Sequence, residues 1–286
     1  MQLDPVQESA LIELVRETSR REILPRFRRL SDTAVKAKLS QQDLVTEADL
    51  ASEAAISAGV RRILPQAAMI GEEAVAVDPA LLEQIATADM AVILDPVDGT
   101  WNYAKGLSLF GMILAVTVRG ETVFGLLYDP VVDDWVLARK GGGSWFCQPG
   151  AEPRRLQFGP DSRSLSQRNG VFSPYHFPQA QRPQLALGML EFGRSYALRC
   201  SCHEYRMLAQ GVFDFSLSLG MEEAEIGINP WDHAAGALVV VEAGGAVGVL
   251  EGGDYAPTVL QGRLINACSP ECLEQVRDWC RRMDIR

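Results

Sequence analysis

The chain reads as a mixed α/β fold of stacked sheets and helices. Three observations predict it. Apolar residues recur at helical spacing near both ends and in an alanine-rich stretch after residue 46. Between residues 90 and 139 the pattern changes to short apolar runs of strand length, bounded by glycine, proline and aspartate. Beyond about residue 160, strand-like and helix-like segments alternate, and such mixtures bury their faces by layering. A chain of 286 residues, 47% hydrophobic and 22% charged, can supply one large core or two joined ones.

Taken in order, Asp4-Pro5 places a cap and a first-turn proline before Ala10, Leu11, Leu14, Val15 and Thr18. That spacing predicts a helix to about residue 29. Residues 36 to 44 are polar and predict a hairpin or loop. Thr46 opens a second helix that ends before Pro65. A short strand follows into Glu72, then a loop and a helix near 79–88. Strands are expected at 91–94, 111–118, 122–129 and 135–139, with Arg119-Gly120 as a hairpin turn. Gly141-Gly142-Gly143 lacks the G-K-[ST] of a phosphate loop and is taken as a turn. Residues 149–160 form a loop with a strand at 156–158, and two halves of a single domain, 1–286, are expected to meet there. Short segments at 170–173 and 186–190 precede a helix at 202–210 and a strand at 212–219. A helix at 231–243 stops at Gly244-Gly245. A strand at 264–267 leads to a last helix opened by Ser269-Pro270. Leu273, Val276, Trp279, Cys280 and Met283 lie on its buried face.

The most informative segment is Asp95-Pro96-Val97-Asp98-Gly99-Thr100. An apolar run, Met90 to Leu94, carries the chain directly into two carboxylates. Neighbouring carboxylates repel, and burial raises the cost. A divalent cation removes both penalties. Pro96 and Gly99 fix a sharp path that lets Asp95 and Asp98 turn toward one point. Hard oxygen ligands without a nearby histidine point to Mg²⁺ rather than Zn²⁺. A bare D-P-x-D-G is also an ordinary turn sequence.

Two further motifs decide between these readings. Gly71-Glu72-Glu73 lies upstream, and Trp231-Asp232-His233-Ala234-Ala235-Gly236 with Glu242-Ala243-Gly244-Gly245 lies downstream. With Asp95 through Tyr103, their order and separations resemble the inositol monophosphatase family of Mg²⁺-dependent, Li⁺-sensitive phosphatases. The resemblance runs from about residue 38 to the C-terminus. It implies a layered αβαβα sandwich of the inositol monophosphatase and fructose-1,6-bisphosphatase type. It also implies a phosphomonoesterase that uses two Mg²⁺ ions, with a third, weaker ion near Glu72, and that Li⁺ inhibits.

Phosphate ester hydrolysis needs the phosphoryl charge neutralised, a water aligned and the leaving alkoxide stabilised. Residue by residue, the resemblance implies that Glu72, Asp95 and the carbonyl of Val97 hold one ion. Asp95, Asp98 and Asp232 hold the other, so Asp95 bridges. Asp49 and Thr100 orient the attacking water, while Gly99 and Thr100 offer amides to the phosphate. Asp98 and Asp232 also border the substrate. Some of these residues have plainer readings. Asp232 fits simple dipole complementation at a helix start. Thr46 and Asp49 resemble a capping box, which could share Asp49 with Thr100 at different times but not through the same oxygen lone pairs. Glu225 matches a contact to inositol hydroxyls but sits in an acidic run, Met221 to Glu225. Lys38 matches a lysine near the metals or is a surface residue. Trp101 is read as packing.

At Cys200-Ser201-Cys202-His203-Glu204 the chain departs from the small residues of the family pattern. The departure is expected to bear on leaving-group specificity and to leave the metals untouched. Cys200 to Arg206 also satisfies C-x5-R, the spacing of cysteine-dependent phosphatases, but lacks the glycines of that loop. The D-x-x-D spacing at Asp95 and Asp98 disfavours the D-x-D haloacid dehalogenase chemistry.

A net charge of −10 argues against a general nucleic-acid surface. No apolar stretch approaches the roughly 18 residues that span a membrane. The N-terminus goes straight into a charged amphipathic helix, which makes the cytoplasm the expected compartment. Six cysteines without a C-x-x-C pair do not form a disulfide framework, and three histidines make a histidine-rich metal site unexpected. The expected partner is a small phosphorylated metabolite, inositol 1-phosphate by default. Histidinol phosphate, a sugar bisphosphate or 3′-phosphoadenosine 5′-phosphate are alternatives, and the resemblance implies a homodimer. A regulatory module that kept the fold is the rival of another class.

Overall fold

The computed structural model describes residues 3–30, 35–37, 44–173, 179–219 and 227–285. Helix α1, Pro5–Thr18, starts where Asp4 accepts the Val6 amide at 2.7 Å, and Gln7 closes the capping box. It ends well before residue 29. The chain widens into a π-turn at Ser19–Ile23 and then bends. Pro25 supplies the reason, because inside a helix it would remove a hydrogen bond and clash with the turn before it. Strands β1, Val35–Ala37, and β2, Leu44–Thr46, are the antiparallel arms of the expected hairpin. Thr46 then caps α2, Glu47–Ile63.

Strand β3, Ala68–Gly71, leads into α3, Glu72–Val77, a 3-10 turn and α4, Glu83–Thr87. Next come β4, Met90–Asp98, and α5, Thr100–Ala104. Strands β5, Gly111–Val118, β6, Glu121–Asp129, β7, Asp134–Arg139, β8, Gly143–Cys147, and β9, Arg154–Leu156, complete a seven-stranded sheet in sequential order. Only the β3–β4 pair in it is parallel. Arg119 and Gly120 take φ of +51° and +79°, as a tight hairpin turn with two left-handed residues requires.

The second sheet contains β10, Asn169–Val171, β11, Arg194–Tyr196, β12, Phe215–Leu219, β13, Ala246–Val249, and β14, Arg263–Ala267. Their order is β11-β10-β12-β14-β13. Four helices accompany it among the described residues: α6, Arg182–Gly188, α7, Ser201–Ala209, α8, Pro230–Glu242, and α9, Pro270–Arg282.

The strand period of two sorts the core into layers. On one face of the large sheet, Val92, Leu94, Leu114 and Leu126 pack against Leu11, Val15, Ile56 and Val60 of α1 and α2. On the other face, Ile93, Ala115 and Leu127 meet Tyr205 of α7 and Ala235 and Leu238 of α8. The same core continues through Phe215 and Ile265 of the second sheet to Trp279 of α9. The result is the five-layered αβαβα sandwich expected from the sequence. Helix α8 is buried on nearly every side, as a central helix between two sheets must be.

The close approach of α8 to the large sheet depends on Gly125. A Cβ there would lie 2.7 Å from the Ala235 carbonyl oxygen and 2.9 Å from its Cα. Backbone cannot step aside as a flexible side chain can. Gly125→Ala is therefore expected to cost about 1–3 kcal/mol and lower the melting temperature by roughly 2–10 °C. An unchanged melting curve by circular dichroism would contradict this packing.

Candidate functional site

Asp95 and Asp98 are three apart in one strand, so a regular strand would send them to opposite faces. The register shows why they converge. Asp95 pairs with Ile113 and Asp98 with Gly111, so three steps on β4 oppose two on β5. This bulge, at Pro96-Val97, returns Asp98 to the face of Ala91, Ile93 and Asp95. Val97 accordingly joins the opposite core. The strand therefore does not end at Asp95, and proline is tolerated because the ladder is already interrupted. Gly99 follows at φ +83°, where a Cβ would lie 2.8 Å from the Leu109 carbonyl.

Asp232 enters from the first turn of α8, with Asn229 Nδ2 donating to its Oδ2 at 3.0 Å. One oxygen from each of Asp95, Asp98 and Asp232 lies within 4.8 Å of the others. Burial, aided by the charges of Glu72, Asp98, Asp232 and Asp49, pushes the Asp95 carboxyl well above the usual carboxylate range. Burial and then Asp232 push Asp98 up to about 7, against hydrogen bonds from residues 200–202. A cluster made of crowded carboxylate oxygens, two of the three side chains fully buried, fits a hard divalent cation such as Mg²⁺.

Glu72 opens α3 at the end of β3, beside β4, and its charge is felt by both Asp95 and Asp49. Its neighbourhood contains a residue that the sequence reading missed. The Glu53 carboxylate accepts the amides of Glu73 and Ala74 at 2.9 and 2.8 Å. Gly71 makes room for it, since a Cβ there would lie 2.3 Å from the Glu53 carboxyl carbon. The signal was available, because Asp49, Glu53, Ile56 and Val60 share the buried face of α2.

Asp49 divides its two oxygens. Oδ2 accepts the Thr46 amide at 2.9 Å and the Thr46 hydroxyl at 2.5 Å. Oδ1 lies 3.2 Å from the Thr100 hydroxyl. Capping and Thr100 contact therefore coexist on different oxygens, as expected, rather than at different times. Burial pushes Asp49 up to about 7, with Glu72 and Glu73 adding to it and the Thr46 hydrogen bond opposing it. The Thr100 hydroxyl can instead donate to the Val97 carbonyl at 2.9 Å.

The stretch from Cys200 to His203 is not confined to the leaving-group side. Asp98 Oδ1 accepts the Ser201 amide at 3.1 Å, and Oδ2 accepts the Cys202 amide at 2.5 Å and the Cys200 thiol at 3.0 Å. It thus anchors a carboxylate of the cluster, contrary to the expectation that it leaves the metals untouched. His203 is buried elsewhere, with Nε2 3.1 Å from the Phe110 carbonyl. Cys202 occupies the space that Gly111 leaves, where a Cβ would lie 2.4 Å from its sulfur. Glu225 and Lys38 lie outside the described residues. Trp101 packs against the Arg199 guanidinium, 4.3 Å from its ring centroid.

The C-x5-R reading does not survive this geometry. Burial, with Asp98 adjacent, pushes the Cys200 thiol well above its usual range, the reverse of a phosphatase nucleophile. Arg206 turns away to the Leu127 carbonyl at 3.0 Å and to Asp134. Iodoacetamide should therefore leave Cys200 of the native protein unmodified and phosphate release intact. Mass spectrometry after acid quenching during turnover should find no phosphocysteine; finding one would restore the nucleophile.

Comparison with known proteins agrees with this arrangement. The family model described as the inositol monophosphatase family matches residues 3–278. A curated relative, Nus factor SuhB of Pasteurella multocida, is 31% identical over 240 residues, covering 83% of this chain and 82% of its own. Among solved structures, an IMPase of Thermotoga maritima is 24% identical and superposes with a TM-score of 0.76 over 98% of this chain and 100% of its own. An IMPase/NADP phosphatase complexed with Mg²⁺ and phosphate has a TM-score of 0.75 at 18% identity, over 95% and 94% of the two chains. The match across nearly the whole length, on the same fold, means that the chain belongs to the inositol monophosphatase family.

Proposed function

We propose that the chain is a Mg²⁺-dependent phosphomonoesterase that hydrolyses a small phosphorylated metabolite by direct attack of water. Inositol 1-phosphate is the default substrate. Histidinol phosphate, a sugar bisphosphate and 3′-phosphoadenosine 5′-phosphate are the alternatives. The observation that carries the reading is the convergence of Asp95, Asp98 and Asp232 on one point. In this reading Glu72, Asp95 and the Val97 carbonyl would hold one Mg²⁺, and Asp95, Asp98 and Asp232 a second. A third ion near Glu72 and inhibition by Li⁺ belong to the same reading. Bound Mg²⁺ supplies Lewis acidity and lowers the pKa of water.

The chain's own groups do the rest. The amides of Gly99 and Thr100 hold the phosphate, and Asp98 and Asp232 border it. The Thr100 hydroxyl, backed by Asp49, orients the attacking water, and Asp49 Oδ1 receives its proton. Glu225 is assigned to hydroxyls of the leaving group. Residues 1–286 act as one domain whose halves meet near 150–160. A net charge of −10 supports a small-molecule partner over nucleic acid. No helix among the described residues is long and apolar enough to cross a membrane. A cytoplasmic homodimer is the assembly that goes with this reading.

A second reading draws on the relative's name, Nus factor, and makes the chain a partner-binding module on the same fold. The two readings separate in one assay: phosphate release with and without Mg²⁺ over a panel of these metabolites and an aryl phosphate. Release that depends on Mg²⁺ supports the enzyme. No release from any member favours the module.

A further inference from the structure

Two carboxylates of the cluster depend on two separate helices. Asp98 is held by the amides of Ser201 and Cys202, in the first turn of α7. Asp232 is carried by the first turn of α8. One oxygen of each, with one of Asp95, lies within 4.8 Å of the others. Any slip of α7 along α8 would change that separation. Mg²⁺ demands near-ideal octahedral geometry at short distances, so such a slip would weaken its binding. Apolar packing between the helices is non-directional and resists sliding poorly.

A buried polar chain supplies the direction. The Tyr205 hydroxyl of α7 lies 3.0 Å from His233 Nδ1 of α8 and 3.2 Å from Asn266 Oδ1 of β14. Asn266 Nδ2 donates to the Ser216 hydroxyl of β12 at 3.0 Å. All four side chains are buried. Asn266 Oδ1 can only accept, so it takes the single Tyr205 proton, and the Tyr205 oxygen accepts His233 Nδ1–H. The chain therefore runs one way, from α8 through α7 into the second sheet. It also fixes the imidazole tautomer. Its members stand beside the carboxylates. Tyr205 is four residues, one turn, beyond Ser201, and His233 directly follows Asp232. The Tyr205 ring is seated on α8 as well. A Cβ at Gly236, three residues beyond His233 on the same face, would lie 2.2 Å from Tyr205 Cγ. The glycine lets the ring lie against the helix while its hydroxyl reaches one turn back to His233.

We propose that Tyr205 and His233 are positioning residues that lock α7 to α8 and so preset the separation of Asp98 and Asp232 for Mg²⁺. They act through the two carboxylates rather than by contact with substrate. The inference rests on the phosphatase reading and deepens it at the same site.

Three variants test it. Tyr205→Phe and His233→Leu remove the hydrogen bond and keep most of the bulk, whereas His233→Asn returns a donor near the place of Nδ1. The readouts are calorimetric titration of the metal-free protein with Mg²⁺, and phosphate release from an aryl phosphate at increasing Mg²⁺. Tyr205→Phe and His233→Leu should each weaken Mg²⁺ binding by about tenfold, and excess Mg²⁺ should return most of the turnover. The double variant should lose little more than either single one, since both break the same bond. His233→Asn should bind Mg²⁺ more tightly than His233→Leu. Melting curves establish that the variants fold, and Tyr205→Phe alone decides where a His233 variant does not. Wild-type Mg²⁺ affinity in Tyr205→Phe or in folded His233→Leu, whatever the melting temperature, overturns the inference and leaves the phosphatase standing. A wild-type protein that neither binds Mg²⁺ nor releases phosphate overturns both.

Discussion

Asp95→Asn should abolish Mg²⁺-dependent turnover while the fold survives and the metal-free protein becomes more stable. The loss of kcat should be on the order of a thousandfold or more, because in the proposed reading Asp95 would help to hold both Mg²⁺ ions, and their charge stabilisation of the transition state would be lost with it. Stability should move the other way. Asp95 is buried among Glu72, Asp98, Asp232 and Asp49, which all disfavour its charge. Asparagine has the same shape and keeps the acceptor for the Val97 amide, now bonded at 3.0 Å. Removing one crowded charge should raise the metal-free melting temperature by roughly 2–6 °C. Mg²⁺ should raise the melting temperature of the wild-type protein by binding only its folded state, and that rise should shrink or vanish in the variant. Phosphate release and paired melting curves with Mg²⁺ or a chelator measure both effects. Near-normal turnover in Asp95→Asn would end the assignment.

Much of this site was legible because its residues lie in short contiguous motifs. D-P-x-D-G-T placed two carboxylates, a turn and a hydroxyl within six residues, and the short apolar run before it marked a buried strand. The bulge was not legible. It is a property of pairing with β5, and a one-residue slip leaves no mark in the composition of either strand. The same holds for β8, β11 and β13, which the sequence reading did not place. They are short strands whose backbone pairing, rather than side-chain pattern, makes them strands. Helix α6 was also missed as a helix, since its seven residues, ending at Gly188, are too few to show a helical period. The role of Cys200 to Cys202 required tertiary structure. Nothing along the chain says that their amides meet Asp98, about a hundred residues earlier. Asn102 stood within the recognised motif, yet its task of holding the Leu198 and Arg199 carbonyls depends on a loop that only the fold brings near.

The Thr100–Asp49 pair gives the sharpest test of how water is activated. Thr100→Ala and Asp49→Asn should each lower kcat by on the order of a hundredfold or more, since in the proposed mechanism both would break the path by which a proton leaves the water. The factor should be similar for every substrate, because the attacking water is common to all of them. Asp49→Asn separates this role from capping. Its amide oxygen can still accept from the Thr46 amide and hydroxyl, as Asp49 Oδ2 does now. Its NH₂ then faces Thr100 and can only donate, so the hydroxyl keeps a neighbour and loses its proton acceptor. The melting temperature should therefore move little while turnover collapses. Glu225→Gln is the contrast. If that residue touches hydroxyls of the leaving group, it should reorder substrates, by about tenfold or more in kcat/KM for a polyol phosphate that uses the contact. Assays of the three variants on inositol 1-phosphate, histidinol phosphate and an aryl phosphate distinguish the patterns. If Thr100→Ala or Asp49→Asn changed the ranking of substrates rather than scaling all three together, the pair would be reading the leaving group and not the water.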